Sequence, residues 1–117
     1  IMRSKYGSYK EYHTSLDTLG KVVTEKGLRG SFKIYKEVIK MFELNYRPIT
    51  KKFGEPFLKK YGLFKGKVYT KNTKLVADII SFCDGNNDIV DIANNCDISF
   101  SETFKVIKIL RKKKIIL

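Results

Sequence analysis

Residues 10–19, with the sequence KEYHTSLDTL, contain the only histidine of the chain, His13, and an aspartate, Asp17, four residues later. An imidazole is a common zinc ligand, and a neighbouring carboxylate or hydroxyl group can hold its ring in one tautomer. One imidazole does not make a site, because zinc takes at least three protein ligands. From these residues, two interpretations stay open. His13 is an ordinary loop histidine, or it is one ligand of a metal site.

The two cysteines of the chain do not add ligands to this histidine. Cys83 and Cys96 lie 13 positions apart, without a CxxC pair and without a histidine near either one. This spacing is not that of a zinc-binding set, so we expect two reduced, partly buried thiols.

The composition indicates a folded and strongly basic protein. The chain has 117 residues, a hydrophobic content of 43% and a formal net charge of +12. That length suits one ordinary domain or two very small ones. The apolar runs are too short to span a membrane and no signal-peptide pattern opens the sequence, so we expect a cytoplasmic protein without a membrane partner.

The loop around His13 must be positioned by the elements that follow it. Residues 1–26 hold several glycines and no sustained period, which predicts a loop with one short strand at most. Apolar residues then recur at steps of four and three and predict an amphipathic helix that ends near Leu44. Residues 45–69 contain both prolines and several aromatic residues, and they predict an irregular basic connector with short extended pieces such as RPITKKF. The apolar residues of the helix are Leu28, Phe32, Tyr35, Ile39 and Phe42.

Three short helices and a strand are predicted over residues 70–117. The first helix stops at the turn DGNND, residues 84–88, and the second runs from Ile89 to about Asn95. Ser99 and Glu102 have the spacing of a capping box at the start of the third helix. That helix ends in RKKK, and the last residues, IIL, are predicted to form a short strand. This order is that of a winged helix-turn-helix. Because so short a span is a marginal independent core, we expect it to pack against the connector.

The positive charge suggests an anionic partner, but its distribution argues against DNA. Twenty of the 24 cations are lysines, whereas arginine is the usual reader of guanine. Residues 1–69 carry 16 cations and six anions, but residues 70–98 carry two and five, and the chain ends before a second wing strand. We therefore rank DNA binding below a docking or oligomerisation role. The possible DNA contacts, on the outward face of the third helix, are Ser101, Lys105, Lys108 and Lys112.

Several motifs, in their order along the chain, resemble one known family. EYHTSLDTL is similar to the last metal-ligand loop of the co-catalytic zinc aminopeptidases, Tyr/Phe-His-Thr/Ser-x-x-Asp-x-Leu. With MRSKYGSYKEYHTSLD, GLRGSFKIYKEVIKMFE, GEPFLKKYGLF and DGNNDIVDIANNCDIS, it resembles the last third of bacterial and archaeal aminopeptidase-like proteins that end in a winged helix. Those proteins are often encoded with polysaccharide-biosynthesis genes. The resemblance covers essentially the whole chain.

The resemblance implies an α+β, mostly helical chain in two parts. Residues 1–69 would be the C-terminal segment of an α/β zinc-aminopeptidase-like domain plus the connector, and residues 70–117 a winged helix-turn-helix domain. The family takes its other zinc ligands and its general-base glutamate from sequence that precedes this part. We therefore expect a fragment that is inactive as a hydrolase and binds zinc weakly. Its expected partners are the N-terminal catalytic portion of the same protein and, as a further option, other copies of itself.

The resemblance also assigns roles to individual residues. It implies that His13 is a zinc ligand and that Asp17 supports it. Arg3 and Tyr12 become candidates to line a substrate pocket. The alternatives stay open, since Arg3 is equally well explained as a solvated surface cation and Tyr12 as a packing aromatic.

Overall fold

The computed structural model describes residues 2–52, 54–64 and 70–117. The chain divides into two compact units, Ile1–Glu43 and Leu44–Leu117. The prediction of a mostly helical chain is confirmed, since helices are the regular elements of the described part. The expected boundary between residues 69 and 70 adjoins residues 65–69, which lie outside that part. The helices are α1 (Glu25–Leu44), α2 (Lys71–Ser81), α3 (Ile89–Asn95) and α4 (Phe100–Lys112).

The first unit contains a loop of successive turns and the helix α1. Thr24 caps α1, because its hydroxyl accepts a hydrogen bond from the Gly27 amide at 3.0 Å and its carbonyl accepts one from the Leu28 amide at 2.9 Å. The predicted amphipathic helix is confirmed, although none of its 20 residues, all described, is buried. One isolated bridge, between Leu19 and Val23, precedes it in the described loop. The expectation of an α/β domain fragment stays a prediction.

The second unit has a core in which α4 packs against both α2 and α3. Apolar residues three or four positions apart face inward from each helix, as their spacing predicts. All three helices fall where the sequence places them, and the capping box of Ser99 and Glu102 at the start of α4 is confirmed. The fully buried side chains contributed by these helices include Ile79, Ile89, Ile92, Ile107 and Leu110.

The connector before α2 completes this core. Leu58 is only 4% exposed and belongs to the same apolar cluster, and Pro48 and Pro56 are buried as well. Tyr61 and Leu63 pack against the cluster from its edge. The expectation that the three helices lean on the connector is therefore confirmed, and the second unit begins before α2 for this reason.

An extended segment of the connector, residues 48–51, lies between residues 83–85 and residues 115–117. Isolated antiparallel bridges join Ile49 to Asp84 and Thr50 to Ile116. The predicted IIL strand thus amounts to one bridge, because Lys114, at φ 56°, turns the chain directly after α4. The four backbone hydrogen bonds, donor first, are Thr50 to Cys83 (2.8 Å), Gly85 to Pro48 (3.1 Å), Lys51 to Ile115 (2.9 Å) and Leu117 to Ile49 (2.8 Å).

Candidate functional site

The His13 loop is a tight turn with its imidazole at the surface. His13 has φ 56°, in the left-handed region that non-glycine residues seldom adopt, and its side chain is exposed. The hydroxyl of Thr14 donates to the Glu11 carbonyl at 2.7 Å and accepts from the Leu16 amide at 3.2 Å. The Tyr12 ring lies 4.3 Å from the imidazole, centroid to centroid. The loop therefore holds an accessible imidazole in a defined backbone conformation.

Asp17 supports this loop through aromatic rings rather than through the imidazole. Its carboxylate accepts a hydrogen bond from the Tyr9 hydroxyl at 3.1 Å, and desolvation together with that carboxylate raises the pKa of Tyr9. The Tyr9 ring in turn meets the Tyr12 ring edge-on at 5.7 Å, and Tyr12 contacts His13. The sequence predicted that Asp17 and His13 share one loop, and they do. Their contact is indirect, however, and passes through Tyr9 and Tyr12, a pair that the sequence did not predict.

Arg3 lies against the first turns of α1. Its Nη1 donates to the Gly27 carbonyl at 3.1 Å, and a Cβ at Gly30 would come within 2.6 Å of the same nitrogen. Arg3, Lys26 and residues near them line an open cleft of about 550 Å³. Tyr12 is not among the described residues that line this cleft. The two candidates for a substrate pocket therefore lie in different surroundings, and their roles stay predictions.

The described residues do not form a complete metal site. No group of three or more His, Cys, Asp or Glu residues among them could hold a metal ion. Both cysteines are free, as expected, with Cys83 buried and Cys96 half-buried. Burial raises the pKa of the Cys83 thiol to about 12 and also raises that of Cys96. His13 is thus a single potential ligand here, and the assignment of zinc stays a prediction.

The pair α3 and α4, two contacting helices joined by a short turn, has the order of elements of a helix-turn-helix. Both helices begin with a reciprocal capping box, Asp88 with Asp91 in α3 and Ser99 with Glu102 in α4. Asp97, at φ 52°, supplies the left-handed residue in the turn between them. The bridge of Ile116 to the connector follows α4, where the wing of such a domain begins.

The outward face of α4 is basic and has one exposed apolar residue at its edge. Lys105, Lys108 and Lys112 are exposed, while Ser101 is half-buried. Ile109, one position after Lys108, is 47% exposed. The four residues predicted as DNA contacts therefore lie on the helix that a DNA-binding member would use, although Ser101 is the least accessible of them.

Two family models match the sequence, one for each part of the chain. The sequence model of the winged helix-turn-helix family matches residues 46–117, which is more than half of the chain. The chain belongs to the winged helix-turn-helix family. Residues 1–45 are similar to a domain of unknown function (DUF4910). No curated protein and no solved structure gave a significant match. The resemblance to zinc aminopeptidases and the link to polysaccharide biosynthesis stay predictions.

From residue 75 onward, the winged helix-turn-helix unit has an acidic stretch followed by a basic one. Residues 75–104 contain six carboxylates and no lysine or arginine, whereas residues 105–114 contain six cations and no carboxylate. Backbone amides of Asn87 and Asn86 lower the pKa of Asp84 to about 2. The pKa of Asp88 is lowered chiefly by the Asp91 amide, and that of Glu102 by the Ser99 side chain. These carboxylates are therefore charged at neutral pH.

Helical periodicity did not predict two features of this unit: the contact that Arg111 makes and the exposure of Ile109. The Arg111 guanidinium lies 5.7 Å from the centre of the Tyr46 ring, so it is directed at the connector. Lys108 lies 5.8 Å from the Phe104 ring on its own helix. Tyr46 is 65 positions from Arg111, and no local pattern predicts such a pair. Ile109 could have been found as an apolar residue that breaks the polar face of α4.

In the described helices, none combines the length and apolar character needed to cross a bilayer.

Proposed function

We propose that the winged helix-turn-helix unit docks onto a protein and does not read DNA. In DNA-binding members, the start of the second helix of the motif enters the major groove while the first helix crosses the phosphate backbone. In this chain those positions carry Asp88 and Asp91 on α3 and Glu102 on α4. Carboxylates facing phosphates would repel the duplex and forfeit the counterion release that drives such binding.

The acidic stretch is the observation that carries this proposal. Electrostatic attraction supplies most of the non-specific affinity of DNA-binding proteins. Between Lys74 and Lys105, which lies one turn into α4, the chain has no lysine or arginine. Arg111, the arginine of α4, is directed towards Tyr46. The α4 face thus lacks the arginine fork that reads guanine in the major groove.

The same face has the anatomy of a small protein interface. Protein interfaces combine an apolar centre with a polar rim. Ile109 is such an apolar residue, and Lys105 and Lys112, four positions before it and three positions after it, border it on one side. The partner that this arrangement favours has an apolar spot bordered by carboxylates. Docking of this kind fits a family whose fold does not by itself confer DNA binding.

A salt-dependent titration tests the first half of the proposal. Fluorescence anisotropy of a labelled duplex, followed at low and at physiological salt, is expected to show no saturable binding of the chain. Saturable binding at low salt that weakens steeply with added salt would contradict the proposal. Loss of that binding in the triple variant Lys105→Gln, Lys108→Gln, Lys112→Gln would then assign it to α4.

Lysine cross-linking tests the docking face itself. The purified chain is mixed with an extract of the cells that produce it and treated with a bifunctional lysine reagent, and cross-linked peptides are identified by mass spectrometry. We expect cross-links from Lys105, Lys108 or Lys112 to one protein. The variant Ile109→Asp should lose them, because it places a charge at the apolar centre. Asn94→Asp adds the same charge on the exposed surface of α3 and should keep them. Cross-links that persist in Ile109→Asp would refute this face.

We further propose that the chain is the C-terminal part of a zinc-dependent aminopeptidase-like hydrolase connected with surface polysaccharide biosynthesis. The supporting observation is the His13 loop, which presents an exposed imidazole in a fixed turn beside Tyr12. The described residues do not complete a zinc set, so the remaining ligands would have to come from elsewhere in the protein. On this proposal the 117 residues are inactive as they stand.

An activity comparison tests this second proposal. The chain and the complete gene product are assayed with zinc on aminoacyl amides, and only the complete product is expected to hydrolyse them. His13→Ala should lower its zinc affinity and its activity, whereas Lys10→Ala in the same loop should lower neither. Turnover by the chain itself, or full activity of His13→Ala, would show that the proposal is wrong. The sequence upstream should also contain a His-x-Asp pair and a Glu-Glu or Glu-Asp element.

A further inference from the structure

A cavity of about 480 Å³ lies between the connector and the last turns of α2, within the second unit. Its inner surface is apolar, because Leu58 from the connector and Ile80 from α2 are only 4% and 7% exposed. Charged residues also line it, and they are Lys52, Glu55 and Asp78. We propose that this cavity binds a small zwitterion with an apolar side chain, which is the chemistry of a free apolar amino acid.

The size and composition of the cavity suit a small molecule. Sites for such ligands have volumes of about 300–1,000 Å³, largely apolar walls and a few polar groups that orient the ligand. The connector turns at Gly54, which lines the cavity with φ 84°, and a Cβ placed there would meet no described atom within 4 Å. The cavity is therefore open on this side, so that a ligand can enter from solvent. Its described lining residues belong to the connector and α2, so the site is distinct from the α4 face.

Asp78 supplies negative charge from the α2 wall of the cavity. This residue is half-buried, and within the described part of the chain its carboxylate accepts no hydrogen bond and forms no ion pair. A carboxylate that is partly removed from water without a donor is unfavourable. The ammonium group of a ligand would supply charged N–H donors to it, and hydrogen bonds of that kind are among the strong ones. The Glu55 carboxylate on the connector wall adds to the attraction for a positive group.

Lys52 supplies the opposite charge from the connector wall. Its side chain is exposed, and it forms no ion pair with Asp78 or with another described carboxylate. A ligand that carries both charges can place its ammonium group at Asp78 and its carboxylate at Lys52, whereas a purely anionic ligand would meet the carboxylates of the cavity. The apolar side chain of the ligand would lie against Leu58 and Ile80, where it leaves water. A zwitterion with an apolar side chain therefore complements every kind of group that the cavity presents.

A titration of the wild-type chain with three related compounds tests the ligand chemistry without any variant. L-phenylalanine, added to the ¹⁵N-labelled chain, is expected to shift the amide signals of Gly54, Ala77 and Ser81 saturably, with a dissociation constant below roughly 1 mM. Gly7 and Gly20, in the first unit, should not shift. Phenethylamine, which lacks the carboxylate, and hydrocinnamate, which lacks the ammonium group, should both bind more weakly. No saturable shift with L-phenylalanine, shifts centred on other residues, or equal binding of either analogue would overturn the proposal.

Two matched pairs of variants assign the charges of the site by the same titration. Asp78→Asn should bind L-phenylalanine at least about tenfold more weakly, because it removes the charged acceptor for the ammonium group. Asp97→Asn makes the same change at an exposed turn residue outside the cavity and should bind as the wild type does. Lys52→Gln should also weaken binding, whereas Lys51→Gln, next to it in the sequence, should not. Equal affinities within either pair would show that these charges do not hold the ligand and would refute the site.

Discussion

Replacement of Leu58 by alanine tests whether the connector is part of the winged helix-turn-helix core. Leu58 is 4% exposed and belongs to the apolar cluster formed by α2, α3 and α4. Truncation of a buried leucine costs about 2–5 kcal/mol, from lost transfer free energy and from the cavity that remains. A unit that spans residues 44–117 has a free energy of unfolding of about 4–11 kcal/mol. At the middle of both ranges, the Leu58→Ala variant should therefore lose about half of its free energy of unfolding, and at the extremes no less than about a fifth.

The thermal midpoint of the unit gives the same test on another scale. A loss of about 3 kcal/mol corresponds to a decrease in Tm of roughly 12–24 °C in a domain of this size. Because the chain has two units, the probe must report on one of them. Pulsed alkylation of Cys83 across a urea or temperature series does so, since this thiol is buried in the second unit.

The neighbouring residue Phe57 supplies the control. Its side chain is 69% exposed, so Phe57→Ala should change the free energy of unfolding by no more than about 0.5 kcal/mol. If Leu58→Ala and Phe57→Ala unfold at the same denaturant concentration, the connector does not contribute to the core and the packing described above is wrong.

Three further predictions concern the same unit. Cys96 should react with iodoacetamide at pH 8 well before Cys83, because burial raises the pKa of the Cys83 thiol to about 12. Equal alkylation rates of the two thiols would contradict the burial of Cys83. Ser99→Ala should lower the free energy of unfolding, measured by urea titration, by about 1 kcal/mol, because it removes the α4 cap. The control variant Ser101→Ala, also on α4, should lower this free energy less. Because the pKa of Asp84 is lowered from 3.8 to about 2, its stabilising effect is present above pH 4 and is lost as the pH falls towards 2. Asp84→Asn should therefore flatten the acid side of a plot of Tm against pH, and an unchanged slope would argue against the amide bonds to this carboxylate.

Local patterns predicted the helices well because their determinants are local. The capping box of Ser99 and Glu102 lies within one helical turn, and the DGNND turn directly follows α2. The role of Ile49 and Thr50 was not predictable in the same way. Their bridge partners are 35 and 66 positions away, and no short pattern records such a pairing. The extended character of RPITKKF was visible, but not its position between two other segments.

The sequence predicted which residues belong to each candidate site, but not what those residues contact. The periodicity of α1 identifies which side chains share a face, but it does not determine what covers that face. The His13 loop likewise shows one imidazole, whereas a metal site depends on residues brought together by the fold. The acidic stretch over residues 75–104, visible in the sequence, is more informative about partners than the net charge of +12.

The central position of residues 48–51 has a consequence for how the protein is synthesised. Four backbone groups of this segment bond to residues 83–85 or 115–117, so its pairing is completed only after α2, α3 and α4 have been made. The helices can form early from neighbouring residues, because such contacts need little loop closure. The last bonds, to residues 115–117, form once that segment has left the ribosome. Until then Ile49 and Thr50 expose an unpaired edge to other nascent chains.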